Sequence, residues 1–443
     1  MKMKHMGLVF AGAISVLASS SVLAQAKEQF VGLPSYRVGA YAAGGSGIYG
    51  GFIDYMQYVN EKEGGVNGVK LVWEECETEY NNARGVECYE RLKGKGGGNS
   101  VFMPLSTGIT YSVIDKVAQD KVPMVTIGYG RTDASDGSVF PWVFPMISNY
   151  LSGNTIKIKY IAEKEGGFDK LKGKKIVNLY HDSAYGKETM ALLDEQSKKY
   201  GFTVVHIPVA HPGNDQQAQW QKIRGEKPDW VILRGWGVMN PTALKTAKKN
   251  GFPVGKILGV WWSGSEEDVI PAADAAKGFT ALNFTGVGKG FPVIKDIEDR
   301  LYNKSKKGNM EDRSRVGSVY YNRGVVHGII AVEAMRVAQA KYGKGKQMNG
   351  EQMRWGFENL NFDTKRLKEL GAEGLMPDFK ISCSDHEGAA KATVIQWDGK
   401  AWNQVSKGWI EADRSLVRPA IEKSAAAYAA EKKIAKRDCS KES

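Results

Sequence analysis

The feature that most restricts the fold is an alternation of short β-rich runs with amphipathic helical runs, which begins near residue 34 and restarts near residue 150. In the first round, residues 36–41 read as a strand and 49–63 as a helix with Phe52, Met56 and Val59 on one face, stopped by Gly64-Gly65. Strands over 69–74, 101–105 and 123–127 follow, separated by helices over 82–93 and 112–120. In the second round, strands over 175–180, 203–208, 230–234 and 257–260 alternate with helices over 150–165, 186–200, 216–223 and 241–250. A connecting strand over 279–284 leads to helices over 293–304, 316–342 and 350–358. A hairpin around Asp398-Gly399 and an Ala-rich helix over 417–436 end the chain. Strands separated by helices pair in parallel, so the expected class is α/β, with two sheets each covered on both faces.

Lys2, Lys4 and His5 precede an apolar or small-residue run from Met6 to Val22, and Val22-Leu23-Ala24 puts small residues just before Gln25. This is the pattern of a secretory signal peptide over 1–24, with export to the periplasm as its consequence. Removing 24 of 443 residues leaves 419, too many for one ordinary core, so two domains are expected. Export also gives the four cysteines an oxidising surrounding. Three pairings are open, and Cys76–Cys88 with Cys383–Cys439 is the expected one, because Cys76 ends a strand and Cys88 lies in the next helix. No CxxC or paired-His spacing supports a zinc site. Loss of Lys2 and Lys4 lowers the formal charge from +12 to +10. The remaining basic residues are spread among acids and form no concentrated stripe, so no nucleic-acid partner is expected.

Gly45-Ser46-Gly47-Ile48-Tyr49-Gly50 fits GxGxxG between a strand and a helix, with Glu74 and Glu75 about 25 residues on. That is the outline of a dinucleotide fingerprint. Tight βα turns satisfy it without a nucleotide, and an exported protein seldom meets NAD, so the expectation is no cofactor; an exported dinucleotide-dependent oxidoreductase is the alternative. P-loop, GxSxG and HExxH patterns are absent. Asp385-His386-Glu387 contains metal-ligating types, but as a lone loop tripeptide it reads as solvated. Binding chemistry remains. Ser106-Thr107-Gly108-Ile109-Thr110 joins a strand to a helix, where hydroxyls and free N–H groups converge on the positive end of the helix dipole. Tyr49, Tyr129, Tyr185, Trp236, Trp261 and Trp262 fall at or just past strand C-termini, the edge at which open α/β sheets bind ligands. Together they suggest a flat-walled apolar slot with a polar end.

Two further segments carry a family resemblance. Asn60-Glu61 followed by Gly64-Gly65-Val66-Asn67-Gly68-Val69-Lys70-Leu71, and later His181-Asp182-Ser183-Ala184-Tyr185-Gly186, resemble the branched-chain amino-acid type of periplasmic binding protein over about residues 35–345. The resemblance implies the type I periplasmic binding protein fold, two doubly wound lobes joined by three crossovers near 147, 281 and 370. Lobe 1 would hold 25–146 and 282–370, and lobe 2 would hold 147–281 and 371–443. It also implies a monomeric, non-catalytic protein that closes on a small molecule and docks on the permease subunits of an ABC importer; a ligand-binding sensor is the other use of the fold. The ligand-binding set it implies is Tyr49, Ser106, Thr107, Gly108, Thr110, Gly128, Tyr129, Tyr185 and Trp236, to which the strand-edge reading adds Trp261 and Trp262. Amino-acid binders of this family place an acid near the position of Trp261-Trp262 to hold the ammonium. Here the acids come only at Glu266 and Glu267. A carboxylate or polar solute with an apolar body is therefore the first expectation, and a hydrophobic amino acid the second.

Overall fold

Two parallel sheets organise the computed structural model of the protein, which describes Met1 and residues 27–442. The expected signal peptide lies, apart from Met1, outside the described residues. Strand β1 (Glu28–Leu33) leads to helix α1 (Ala42–Glu63), β2 (Lys70–Glu75), α2 (Asn82–Leu92), α3 (Thr107–Asp120), β3 (Met124–Val125) and β4 (Val143–Phe144). Phe102 bridges Gly32 on one side and Met124 on the other, so the first sheet runs β2, β1, Phe102, β3, β4, all parallel. The strand expected over 101–105 is reduced to that single bridge.

The second unit contains α4 (Tyr150–Glu165), β5 (Lys175–His181), α5 (Ala184–Lys187), α6 (Met190–Tyr200), β6 (Thr203–Val209), α7 (Gln217–Glu226) and β7 (Trp230–Arg234). It continues through α8 (Met239–Lys249), β8 (Ile257–Gly259), α9 (Glu266–Val269) and β9 (Thr280–Asn283). Strands β9, β8, β7, β5 and β6 are parallel neighbours, because each pair is joined through a helix. Next come α10 (Pro292–Ile297), α11 (Val319–Tyr342), α12 (Gly350–Glu358), β10 (Asn361–Phe362), α13 (Thr364–Glu369) and β11 (Phe379–Lys380). The chain then enters the second sheet as β12 (Lys391–Trp397), antiparallel to β9, with β13 (Trp402–Gln404) and β14 (Ile410–Glu411) beside it.

Residues 371–390 lie with first-lobe elements. β11 pairs with β10, and the His386 Nδ1 atom is 2.7 Å from the Val143 carbonyl oxygen. His386 and Glu387 are buried rather than solvated, and Glu387 Oε1 accepts from the Asn149 N–H at 3.0 Å. The last helix, α14 (Arg414–Lys432), returns across both units. Its Val417 and Ile421 pack on Leu192. Farther along, Ser424 donates to Asp133, Tyr428 stacks on Phe140, Lys432 reaches Asp115 and the Arg437 guanidinium meets Glu358. Both expected disulfides are present, Cys76–Cys88 and Cys383–Cys439.

The first strand and helix differ most from expectation. Residues 36–41 are an irregular connector and the strand is Glu28–Leu33. Helix α1 already starts at Ala42, so Gly45–Gly50 lies inside a buried helix and opens no phosphate-binding turn. Two of its glycines, Gly47 and Gly51, serve packing against α11. A Cβ at Gly51 would overlap the Tyr321 carbonyl oxygen, and one at Gly324 would overlap that of Ile48. Glu74 is held by Arg91 and Lys95, and Glu75 by Arg37. Overpacking this seam with Gly51→Val or Gly324→Val is expected to cost about 3 kcal/mol. A calorimetric scan should show Tm lower by roughly 5–10 °C; an unchanged Tm would contradict the close helix contact.

Candidate functional site

The C-terminal edges of the two sheets face each other, and eight residues enclose a cavity between them: Tyr80, Leu105, Thr107, Tyr129, Tyr150, Tyr185, Trp236 and Trp262. The empty space is about 230 Å³, of which water centres can reach about 10 Å³, room for about one water molecule. The cleft is shut. Trp236 stands edge-on to Trp262 (ring centroids 5.5 Å apart), and Tyr129 likewise at 6.2 Å. Edge-to-face contacts suit aromatic quadrupoles and leave flat ring faces available to a guest.

The walls are positioned by backbone hydrogen bonds. The Tyr129 hydroxyl donates to the Val125 carbonyl and accepts from the Leu105 N–H. The Tyr185 hydroxyl donates to the Gly235 carbonyl at 2.9 Å. The Ser106 side chain caps α3 by accepting from the Ile109 N–H, which leaves the first N–H groups of that helix, at Thr107 and Gly108, free. Gly128, at φ +72°, turns its carbonyl toward the second lobe, where it accepts from both the Trp261 (2.6 Å) and Trp262 (3.1 Å) indole N–H groups.

Five of the expected residues thus line one cavity: Thr107, Tyr129, Tyr185, Trp236 and Trp262. Ser106 and Gly128 act on it through a cap and a carbonyl. Trp261 lies behind the wall, stacked on Tyr150. Tyr49 is outside it; its hydroxyl donates to the Pro34 and Met103 carbonyls and ties the first sheet together. Thr110 donates to the Ser106 carbonyl, and Gly108 abuts Asn82. Tyr80, Leu105 and Tyr150 were not anticipated. Tyr80 comes five residues after the end of β2, on the same edge that selected the other aromatics, and Tyr150 opens the helix after the first crossover.

Buried charge surrounds the aromatic shell. The Arg234 guanidinium sits 4.6 Å from the Tyr150 ring centre and 4.9 Å from that of Tyr185, and donates to the Tyr185 carbonyl. Lys157 is buried near it without a hydrogen-bond partner, and burial and then the Arg234 charge hold its pKa well below the usual lysine value. Asp268, behind Trp262, accepts from Tyr320, Asn240 and the Ser265 N–H, yet burial pushes its carboxyl up to about 7. Glu266 and Glu267 turn away toward the start of α11, accepting from the Val319 N–H and the Ser318 hydroxyl. No acidic side chain is among the eight that line the cavity.

Two α/β lobes meeting edge to edge around an aromatic cavity define a cleft-type binding protein. A family model described as "Periplasmic binding protein" matches residues 28–401, and the chain belongs to that family. Comparison with curated proteins returns no match. A solved structure from the Pseudomonas fluorescens group, described as an ABC transporter permease, is 50% identical over 94% of this chain and 100% of its own, with a TM-score of 0.86. A branched-chain amino acid ABC transporter protein from Thermus thermophilus, solved with bound valine, is 20% identical over 89% of this chain and 98% of its own, with a TM-score of 0.74. A solute-binding protein from R. palustris, solved with benzoate, is 17% identical over 88% of this chain and 98% of its own, with a TM-score of 0.66. The family consists of extracytoplasmic binding proteins, which hold small molecules and are not enzymes; the oxidoreductase alternative falls with that.

At the rim of the cavity, the Tyr41 hydroxyl lies 2.9 Å from His181 Nε2 and joins the two lobes. Burial first, and then neighbouring His211, push the His181 pKa down to about 3 from its usual 6.5. The unfolded chain therefore binds a proton near pH 6.5 that the folded chain refuses until about pH 3, and stability falls as pH drops through that window. Between pH 7 and pH 5 the wild type should lose about 2 kcal/mol that His181→Gln does not. Urea unfolding at the two pH values measures the difference, and parallel losses in both proteins would refute it.

Proposed function

We propose that the protein is the periplasmic binding component of an ABC importer, made with a cleaved signal peptide, monomeric, and specific for a small organic acid with an apolar or aromatic body. The observation that carries this reading is the composition of the cavity wall: four tyrosines, two tryptophans, one leucine, one threonine, and no acid. A ligand ammonium would meet no counter-charge there, and a buried unpaired charge is costly. A carboxylate has partners. The free N–H groups of Thr107 and Gly108 at the start of α3 and the Thr107 hydroxyl form the polar end. The Trp236 indole N–H is buried and unpaired, and an acceptor on the ligand would relieve it. The aromatic rings supply the flat walls. Because the shut cavity holds only about one water, the ligand enters by parting the lobes.

We place the lobe limits at the crossings near 147, 281 and 390, the last shifted from 370 by the pairing of β10 with β11. The bound forms of distant relatives, with valine and with benzoate, frame the test. A thermal-shift series on the chain from Gln25 should include benzoate, aliphatic carboxylates, L-valine and L-leucine. Carboxylates lacking an amino group should raise Tm, by an amount equivalent to about 2.7 kcal/mol at 100 times Kd. Thr107→Ala and Trp236→Ala should abolish the response while leaving the unliganded Tm within a few degrees. A response confined to amino acids, or one undiminished in both variants, would overturn the assignment.

A further inference from the structure

The helix expected over 186–200 is broken into α5 and α6, and Glu188 stands at the break. From there its carboxylate crosses the seam between the lobes. Oε1 accepts from the Thr132 N–H at 2.6 Å and from the Thr132 hydroxyl. Oε2 is buried with no hydrogen-bond partner. Thr132 ends the loop that begins at Gly128 and carries Tyr129 on the cavity wall. Gly130, within that loop, is what lets the carboxylate in: a Cβ there would overlap both Glu188 Oε2 and the Thr107 methyl group. The same carboxylate lines a groove beneath α14. One acid thus touches the loop that shapes the cavity and the seam that must open.

We propose that Glu188 is a positioning residue for solute capture, a latch by which lobe 2 holds the Gly128–Thr132 loop, and with it the Tyr129 wall, in the closed arrangement. The role rests on the cavity being the binding site, but the latch itself is testable without a ligand. The Glu188 bonds at the Thr132 end of the loop complement the two indole bonds to the Gly128 carbonyl at its other end, and held at both ends by directional bonds the loop has a single closed register, which apolar contacts across the seam do not specify. Burial, only partly offset by the two Thr132 donors, holds the carboxyl up at about 7. At neutral pH glutamine is therefore a fair isostere of the protonated form, and it keeps an acceptor oxygen for Thr132.

The test uses the unliganded chain from Gln25 in three variants: Glu188→Ala, Glu188→Gln and Thr132→Val. Acrylamide quenching of tryptophan fluorescence reports the summed exposure of the eleven tryptophans, of which Trp236 and Trp262 line the cavity that opening would expose, and small-angle scattering reports the radius of gyration. Glu188→Ala should shift the closed-to-open ratio about tenfold toward open, equivalent to ~1.4 kcal/mol, raising both quenching and radius. Glu188→Gln should stay near wild type, and Thr132→Val should fall between. Should Glu188→Ala fail to fold, Thr132→Val carries the test from the other lobe. No opening in either truncating variant, or equal opening in Glu188→Gln and Glu188→Ala, would overturn the latch. Failure of the carboxylate screen with intact latch behaviour would instead count against the ligand assignment alone.

Discussion

A single carbonyl group, that of Gly128, receives two indole N–H groups from the opposite lobe, and the closed cleft is organised around that junction. It depends on a residue at φ +72°, and a Cβ there would lie 2.5 Å from the Phe284 ring. Only glycine meets both conditions without strain. The junction aligns Trp261 and Trp262 so that one ring backs the wall and the other faces the cavity. Tyr129, the next residue, is fixed by its own hydroxyl bonds to the backbone. Both faces of the slot are therefore set by hydrogen bonds that do not involve a ligand, which is how a binding site avoids ordering its walls at the moment of capture.

The shell of charge behind the aromatics serves the same end. Arg323 donates to the Trp261 carbonyl and to Asn283, and Tyr320 donates to the Trp262 carbonyl and Asp268. These groups hold the backbone of the tryptophan loop from behind. Arg234 sits under the Tyr150 and Tyr185 rings, where cation–π attraction offsets part of its desolvation. The buried charges lie one layer below the cavity wall, and six of the eight side chains in the wall itself are aromatic.

Much of this was legible in the sequence because it is periodic or sits at strand ends. Helix 150–165 and strand 230–234 were read to the residue, and the edge rule found Tyr129, Tyr185, Trp236 and Trp262. What failed was long-range. The glycines of 45–50 have the spacing of a nucleotide loop, but they lie inside α1, where a Cβ would meet the Tyr36 carbonyl at Gly45, the Tyr320 side chain of α11 at Gly47 and Met310 at Gly50, the last two from more than 250 residues later in the chain. Tyr49 shares the edge with the other aromatics, yet a helix that starts at Ala42 turns its hydroxyl inward toward Pro34 and Met103. Asp385-His386-Glu387 looks polar enough for solvent, but its loop packs on the start of β4 and the start of α4, which buries His386 against Val143 and Glu387 against Asn149. Local pattern specifies an element; which face another element will cover is not a local property.

Helix α14 is fastened unequally at its two ends. Near its start it rests on the second lobe through Val417, Ile421 and Leu192, side chains whose attraction has no preferred bearing, with one directed bond beside them, from the Asp413 N–H to the Thr155 hydroxyl. Near its finish it is pinned to the first lobe's elements by Tyr428, Lys432, Arg437 and a disulfide, all of which have directions. When the lobes rotate, greasy contacts slide while aimed ones resist. Were the lobes to part, the final helix would follow the lobe it reaches last, where most of its directed contacts lie, and the Leu192 patch would be the surface along which it slides.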